Sequence, residues 1–201
     1  MNIDRKRERV QAAFHRSIET LARTQEQLQE SLLQATEMLV SAIRQGGKIL
    51  ACGNGGSAAD AQHFVAELVV RLRSGFNRPA IPALALTTDT SILTAGANDY
   101  GFENVFARQV EALGREGDVL VVFSTSGNSP NVVEATRLAR QKGVRVIGIL
   151  GGDGGALKKM VDLPLIVDSR ETARIQEVHG VLIHILCDLL ETELFDGIGQ
   201  K

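Results

Sequence analysis

The chain has 201 residues, with 22 basic and 24 acidic side chains and a formal net charge of −2. Binding to a phosphate backbone needs a basic surplus, so this balance excludes a general nucleic-acid binder, though not a small local basic site. Hydrophobic residues at 44% and charged residues at 23% are ordinary globular usage, which excludes disorder for most of the chain and fits one domain with a full core.

In chain order, the first element is helical. Residues 1–45 contain neither Gly nor Pro. Leu28, Leu32, Ala35, Leu39 and Ala42 recur at helical spacing, and Gly46 and Gly47 stop the run. Its first 25 residues are strongly polar and read as a helix packed on another subunit or as a frayed arm. The start, MNIDRKRERV, mixes both charge signs with no apolar stretch behind it, so it is not a secretory signal. Arg5, Lys6 and Arg7 read as a solvated helix start flanked by acids. No apolar run approaches the roughly 18 residues of a membrane helix. Two cysteines, Cys52 and Cys187, without a C-x-x-C spacing, fit a reduced cytoplasmic setting.

After Gly47 short apolar runs alternate with helical stretches. Residues 48–52, 82–86, 118–123, 144–150 and 163–167 are predicted strands. Helices are predicted over about 58–73, 102–113, 131–142 and 172–194. This alternation predicts an α/β fold in three layers, a parallel five-stranded sheet covered by helices on both faces. The chain divides into a helical extension, 1–45, and an α/β domain, 46–197. Ligands of such sheets bind at the carboxyl ends of the strands. The chemistry is therefore expected in the loops after Cys52, Leu86 and Phe123.

The loop Ser124–Ser129 packs four hydroxyls and two turn-forming residues before Pro130, at a helix start. An ordinary capped turn is the plain reading. The hydroxyl density and the free N–H groups of a helix N-terminus favour an anion, a phosphate monoester above all. The loop Gly53–Ser57 can be written G-x-G-x-x-A through Ala58. The acid a dinucleotide site would need about 20 residues on is missing, with Arg71 and Arg73 in that region, and no Gly-Lys-Ser/Thr is present. Its glycines fit close backbone approach to a small polar ligand. On the next helix His63 and Glu67 stand four apart on one face, as a metal pair, an acid/base pair or a solvated face would. The last helix carries Gln176, His179 and His184.

Together, CGNGGSAADAQHFVAEL, ANDYGF, FSTSGNS and ARIQEVHGVLIH resemble the phosphoheptose isomerases, a branch of the sugar-isomerase (SIS) superfamily. The resemblance runs from about residue 8 to 195, and its motifs are specific as a set. It implies a SIS domain, flavodoxin-like, with N-terminal helices. It implies one zinc per subunit on His63, Glu67, Gln176 and His184, and Glu67 and His184 as the acid/base pair. Substrate contacts fall on Asn54, Gly55, Gly56, Glu67, Asn98, Asp99, Ser124, Thr125, Ser126, Ser129 and Gln176, with Arg71 nearby. Ala173 stands where some members carry an acid. It further implies a cytoplasmic homotetramer with active sites between subunits, with no membrane and no direct nucleic-acid partner. The implied reaction takes sedoheptulose 7-phosphate to D-glycero-D-manno-heptose 7-phosphate, toward the ADP-heptose of lipopolysaccharide.

One spacing strains this ligand set. Gln176 and His184 are eight apart, about 12 Å along a regular helix, whereas zinc ligands lie about 2 Å from the ion. Either Gln176 precedes the regular helix, or its side chain stretches, or the ligands come from different subunits. His179 is the competing ligand. The rival function is a non-catalytic relative that binds the replication initiator DnaA. Some such proteins lack the Glu and the last His that this chain keeps as Glu67 and His184. A sugar-phosphate-sensing domain is a third reading.

Overall fold

The computed structural model describes residues 2–195, so the last two residues of the 46–197 range lie outside the described residues. A single helix of 42 residues, α1 (Ile3–Arg44), opens the fold. The Asn2 carboxamide caps it by accepting from the Arg5 N–H. It ends at Gly46, whose φ of +80° suits glycine. Burial starts only at Thr20 and follows Thr24, Leu28, Leu32, Ala35 and Leu39, one stripe at a spacing of three and four. The polar first turns are helical but exposed.

Five strands follow: β1 (Ile49–Cys52), β2 (Ala83–Ala85), β3 (Val119–Ser124), β4 (Arg145–Gly151) and β5 (Leu163–Val167). All pair in parallel, in the order β2-β1-β3-β4-β5. The expected five-stranded parallel sheet is thus observed. Strand side chains alternate between faces. Ile49, Ala51, Val119, Val121, Phe123, Ile147 and Ile149 join one core with α1, α2 (Gly56–Val69) and α6 (Thr172–Phe195). Leu50, Cys52, Leu120, Val122, Val146 and Leu150 join a second core with α4 (Val105–Leu113) and α5 (Pro130–Gln141). Each fully buried aliphatic or aromatic side chain contributes about 1.5–3 kcal/mol, so these two layers dominate the stability. At the opposite end of the strands the Asp118 carboxylate accepts from the Lys48 and Arg115 N–H groups, pinning the start of β1 to β3.

Three local expectations are corrected. A further helix, α3 (Thr90–Tyr100), lies in a segment expected to be loop. The Asp89 side chain caps it, and none of its residues is buried. Helix α2 ends at Val69, one turn short of the expected limit, because the Arg78 guanidinium takes its last carbonyls. The expected helix from 102 starts as one 3-10 turn, Phe102–Asn104, before α4. No helix among the described residues is long and apolar enough to cross a membrane.

The strand order fixes where a ligand can enter. From β1 the chain moves to β2 on one side, then returns to β3 on the other. The loops leaving β1 and β3 therefore diverge and leave a crevice at their carboxyl ends.

Candidate active site

The loop after β1 forms one wall of the crevice. A Cβ on Gly53 would lie 2.5 Å from the Ser57 carbonyl oxygen, so only glycine lets the chain turn so tightly into α2. Asn54 is half-buried, whereas Gly55 and Gly56 present bare backbone to solvent.

The loop after β3 forms the other wall. Ser124 is buried at the strand end, Thr125 and Ser129 are half-buried, and Ser126 is exposed. The Gly127 N–H donates to Ser124 Oγ at 3.1 Å, and the Ser124 and Ser129 hydroxyls are 3.3 Å apart. Gly127 has a φ of +65°, and a Cβ there would collide with the Gly154 carbonyl. Asn128 accepts from the Ala156 N–H at 2.9 Å, fixing the loop to the segment after β4. Ser129 caps α5 without a side-chain bond, and Pro130 begins the helix. The hydroxyls thus gather at a helix start, where N–H groups and the dipole favour an anion.

Helices α2 and α6 run on from this crevice side by side. His63 and Glu67 of α2 and His184 of α6 offer donor atoms that all lie within 4.8 Å of one another. The two Nε2 atoms of His63 and His184 are 2.8 Å apart, with the rings nearly perpendicular. Glu67 Oε1 lies 3.7 Å from His63 Nδ1. Two imidazoles and a carboxylate are a zinc donor set. The residues present therefore fit such an ion.

Gln176 was expected beside this trio, and its side chain lies along the α2–α6 seam. It lies within the regular part of α6, and its amide packs against Gly56, about two turns of α2 before His63. The alternative in which Gln176 precedes the helix is thereby removed. Asn98 and Asp99 sit in the last turn of α3, exposed and bonded to each other at 2.7 Å, and no hydrogen bond joins them to either loop among the described residues. Arg71 is exposed just beyond α2 and forms no ion pair among the described residues.

His179 is not in the cluster. It is fully buried and faces the Leu150 carbonyl at 3.3 Å. Its Nδ1 points at Asp60 Oδ2, 3.9 Å away, and both atoms lack a hydrogen-bond partner. Burial pushes the Asp60 carboxyl up to about 6, partly opposed by nearby His63. Burial pushes the His179 imidazole down to about 4, partly opposed by the Leu150 carbonyl. Cys52 is likewise buried, its thiol pushed up to about 12. That makes it an unreactive packing residue, as does the burial of Cys187. Sequence reasoning missed two residues that shape the site, Asn131 and Arg78. Asn131 stands one position after the Ser-Pro helix start, and that position was its only signal.

The model of the SIS domain family matches residues 14–151. The phosphoheptose isomerase of Geobacter sp. (strain M21) is 54% identical over 188 residues, 94% of this chain and 97% of that protein. The solved phosphoheptose isomerase structure from Neisseria gonorrhoeae has a TM-score of 0.87 at 50% identity, covering 92% of this chain and 98% of that one. The one from Francisella tularensis has a TM-score of 0.89 at 40% identity, covering 93% and 98%. A crevice walled by a hydroxyl-rich loop, joined to this likeness along nearly the whole length, places the chain in a known class: it belongs to the phosphoheptose isomerases of the SIS-domain family, which are isomerases.

Proposed function

We propose that the protein converts sedoheptulose 7-phosphate to D-glycero-D-manno-heptose 7-phosphate in the cytoplasm, feeding ADP-heptose and lipopolysaccharide synthesis. The observation that carries the reading is the convergence of His63, Glu67 and His184, from two helices that meet beside the crevice. The hydroxyls of Ser124, Thr125, Ser126 and Ser129 and the backbone at Asn54, Gly55 and Gly56 hold the sugar phosphate. An aldose–ketose shift moves a proton between C1 and C2 through an enediol, which needs a base at carbon and an acid at oxygen. Glu67 takes the proton from C1 and returns one at C2. His184 protonates the C2 oxygen side and accepts the proton leaving the C1 hydroxyl. Zinc, one per subunit, supplies polarisation of the substrate oxygens when bound, on His63, Glu67 and His184, with Gln176 as the fourth donor after a change of rotamer or from another subunit. Gln176, Asn98, Asp99 and Arg71 complete the substrate contacts.

The protein works as a homotetramer with sites between subunits. An apolar groove of about 720 Å³ between α1 and α6, lined by Ile18, Leu33, Val181 and Ile185, supports this assembly. So do the exposed Val10 and Phe14 on the α1 arm. The 1–45 helical extension then serves assembly and 46–197 the chemistry.

The test is turnover of sedoheptulose 7-phosphate by the zinc-loaded protein, beside a pull-down with DnaA. The reading expects the aldose heptose phosphate and no capture. Capture of DnaA without turnover would replace it with the non-catalytic rival.

A further inference from the structure

The segment between α2 and β2 buries an ion pair that none of the site assignments uses. Arg78 and Glu191 are both fully enclosed, with Arg78 Nε 2.9 Å from Glu191 Oε1. The remaining guanidinium donors go to backbone. Nη2 donates to the Glu67 carbonyl at 2.8 Å, and Nη1 to the carbonyls of Leu68 at 2.8 Å and Pro79 at 2.9 Å. Glu191 is filled from the other side, by the Leu72 N–H at 2.8 Å and by Arg73 Nε at 3.1 Å.

The placement is specific. Helix α2 ends at Val69, so the carbonyls of its last turn lack intrahelical partners. Arg78 supplies partners to two of them, one belonging to Glu67. Glu191 lies on α6 seven residues after His184, two turns on along the same face. The pair thus ties the backbone of Glu67 to the helix that carries His184. The protein contains other buried polar contacts, such as Asp118 at the far end of the strands and the facing Asp60 and His179 of α2 and α6, but neither reaches the last turn of α2.

We infer that Arg78 is a positioning residue, whose guanidinium, held by Glu191, fixes the last turn of α2 and so the aim of the Glu67 carboxylate at His184. The inference rests on the reading of Glu67 as the base. Only a planar fork with five N–H groups can serve four acceptors at once; the lysine ammonium has three. A charge-conserving replacement therefore keeps a cation but loses part of the anchor.

The test compares R78K, the double variant R78M/E191M, and V146A, a cavity variant in the other core layer. Each is measured for melting temperature and for kcat and KM with sedoheptulose 7-phosphate, beside E67Q. R78K is expected to lower kcat by about 10- to 100-fold, the scale on which ångström misplacements act, with KM within about twofold. V146A is expected to lower the melting temperature and leave kcat intact. If R78K does not fold, R78M/E191M replaces both charges by apolar side chains of similar length. The same loss of kcat is then expected, because methionine offers no donor to the Glu67 carbonyl. Wild-type kcat in either folded variant overturns the inference. So do equal kcat losses in R78K and V146A at matched melting temperature, since stability alone would then explain them. An active E67Q defeats the reading of Glu67 itself. An inactive E67Q beside a fully active R78K defeats only the anchor.

Discussion

The carboxamides of Asn54 and Asn131 exchange two hydrogen bonds, each 2.8 Å long, and so join the loop after β1 to the first turn of α5. The pair clamps both walls of the crevice at one separation. Asn131 is buried while Asn54 is only half-buried, so removing Asn131 leaves the Asn54 amide unpaired at the mouth. Asn131→Ala is expected to cost about 0.5–1.5 kcal/mol of stability, the net worth of an ordinary hydrogen bond, because the Asn54 amide can still reach water. It is also expected to raise KM for the sugar phosphate about tenfold while changing kcat by less than about threefold, the signature of lost uniform binding. Urea denaturation and steady-state kinetics check both parts; an unchanged KM would show that the clamp does not set the pocket.

The facing pair Asp60 and His179 gives a pH prediction with a defined sign. His179 titrates at about 4 in the fold against 6.5 in the unfolded chain. Between those values the unfolded state binds more protons, so the His179 contribution is present above pH 6.5 and is lost as pH falls toward 4. Asp60 titrates at about 6 in the fold against 3.8 unfolded. There the folded state binds more protons, so its contribution is present below pH 3.8 and is lost as pH rises toward 6. The two slopes oppose each other and nearly cancel in the wild type between pH 4 and 6. Asp60→Asn exposes the histidine slope alone: stability should rise with pH by up to about 1.4 kcal/mol per unit over that window. Denaturant titrations from pH 4 to 7 on both proteins measure it, and equal slopes would contradict the pairing.

Metal content is the third prediction. The facing Nε2 atoms of His63 and His184 should give about one zinc per chain after loading. His63→Ala should lower the bound zinc strongly, and chelation should abolish turnover reversibly. Elemental analysis beside the turnover assay reads all three. Full zinc retention by His63→Ala would move the ion to other ligands.

Much of the architecture was legible because strand burial is nearly continuous. Strands β1 and β3 are buried at every position, so they stand out as apolar runs against polar helices. Helix α3 was not legible, since TSILTAGANDY carries three β-branched residues and a glycine and buries nothing; its cap by Asp89 was the one local signal. The pairing of His63 and Glu67 on one helix face could be read from spacing. Their meeting with His184, 121 positions away, came only through the resemblance. Arg78 was invisible because its partner Glu191 is 113 positions away, and no local pattern marks an arginine that reaches back across an irregular segment to the carbonyls of Glu67 and Leu68. The resemblance named Gln176, whereas the position of its amide against Gly56 follows from how α2 and α6 pack.

The most direct measurement is turnover by Glu67→Gln, together with calorimetric binding of sedoheptulose 7-phosphate. The substitution keeps the size of the side chain and removes its basicity. Loss of turnover by about 1,000-fold or more, at the upper part of the range for general acid–base groups, with binding retained, is the expected result. Near-normal turnover would contradict the account.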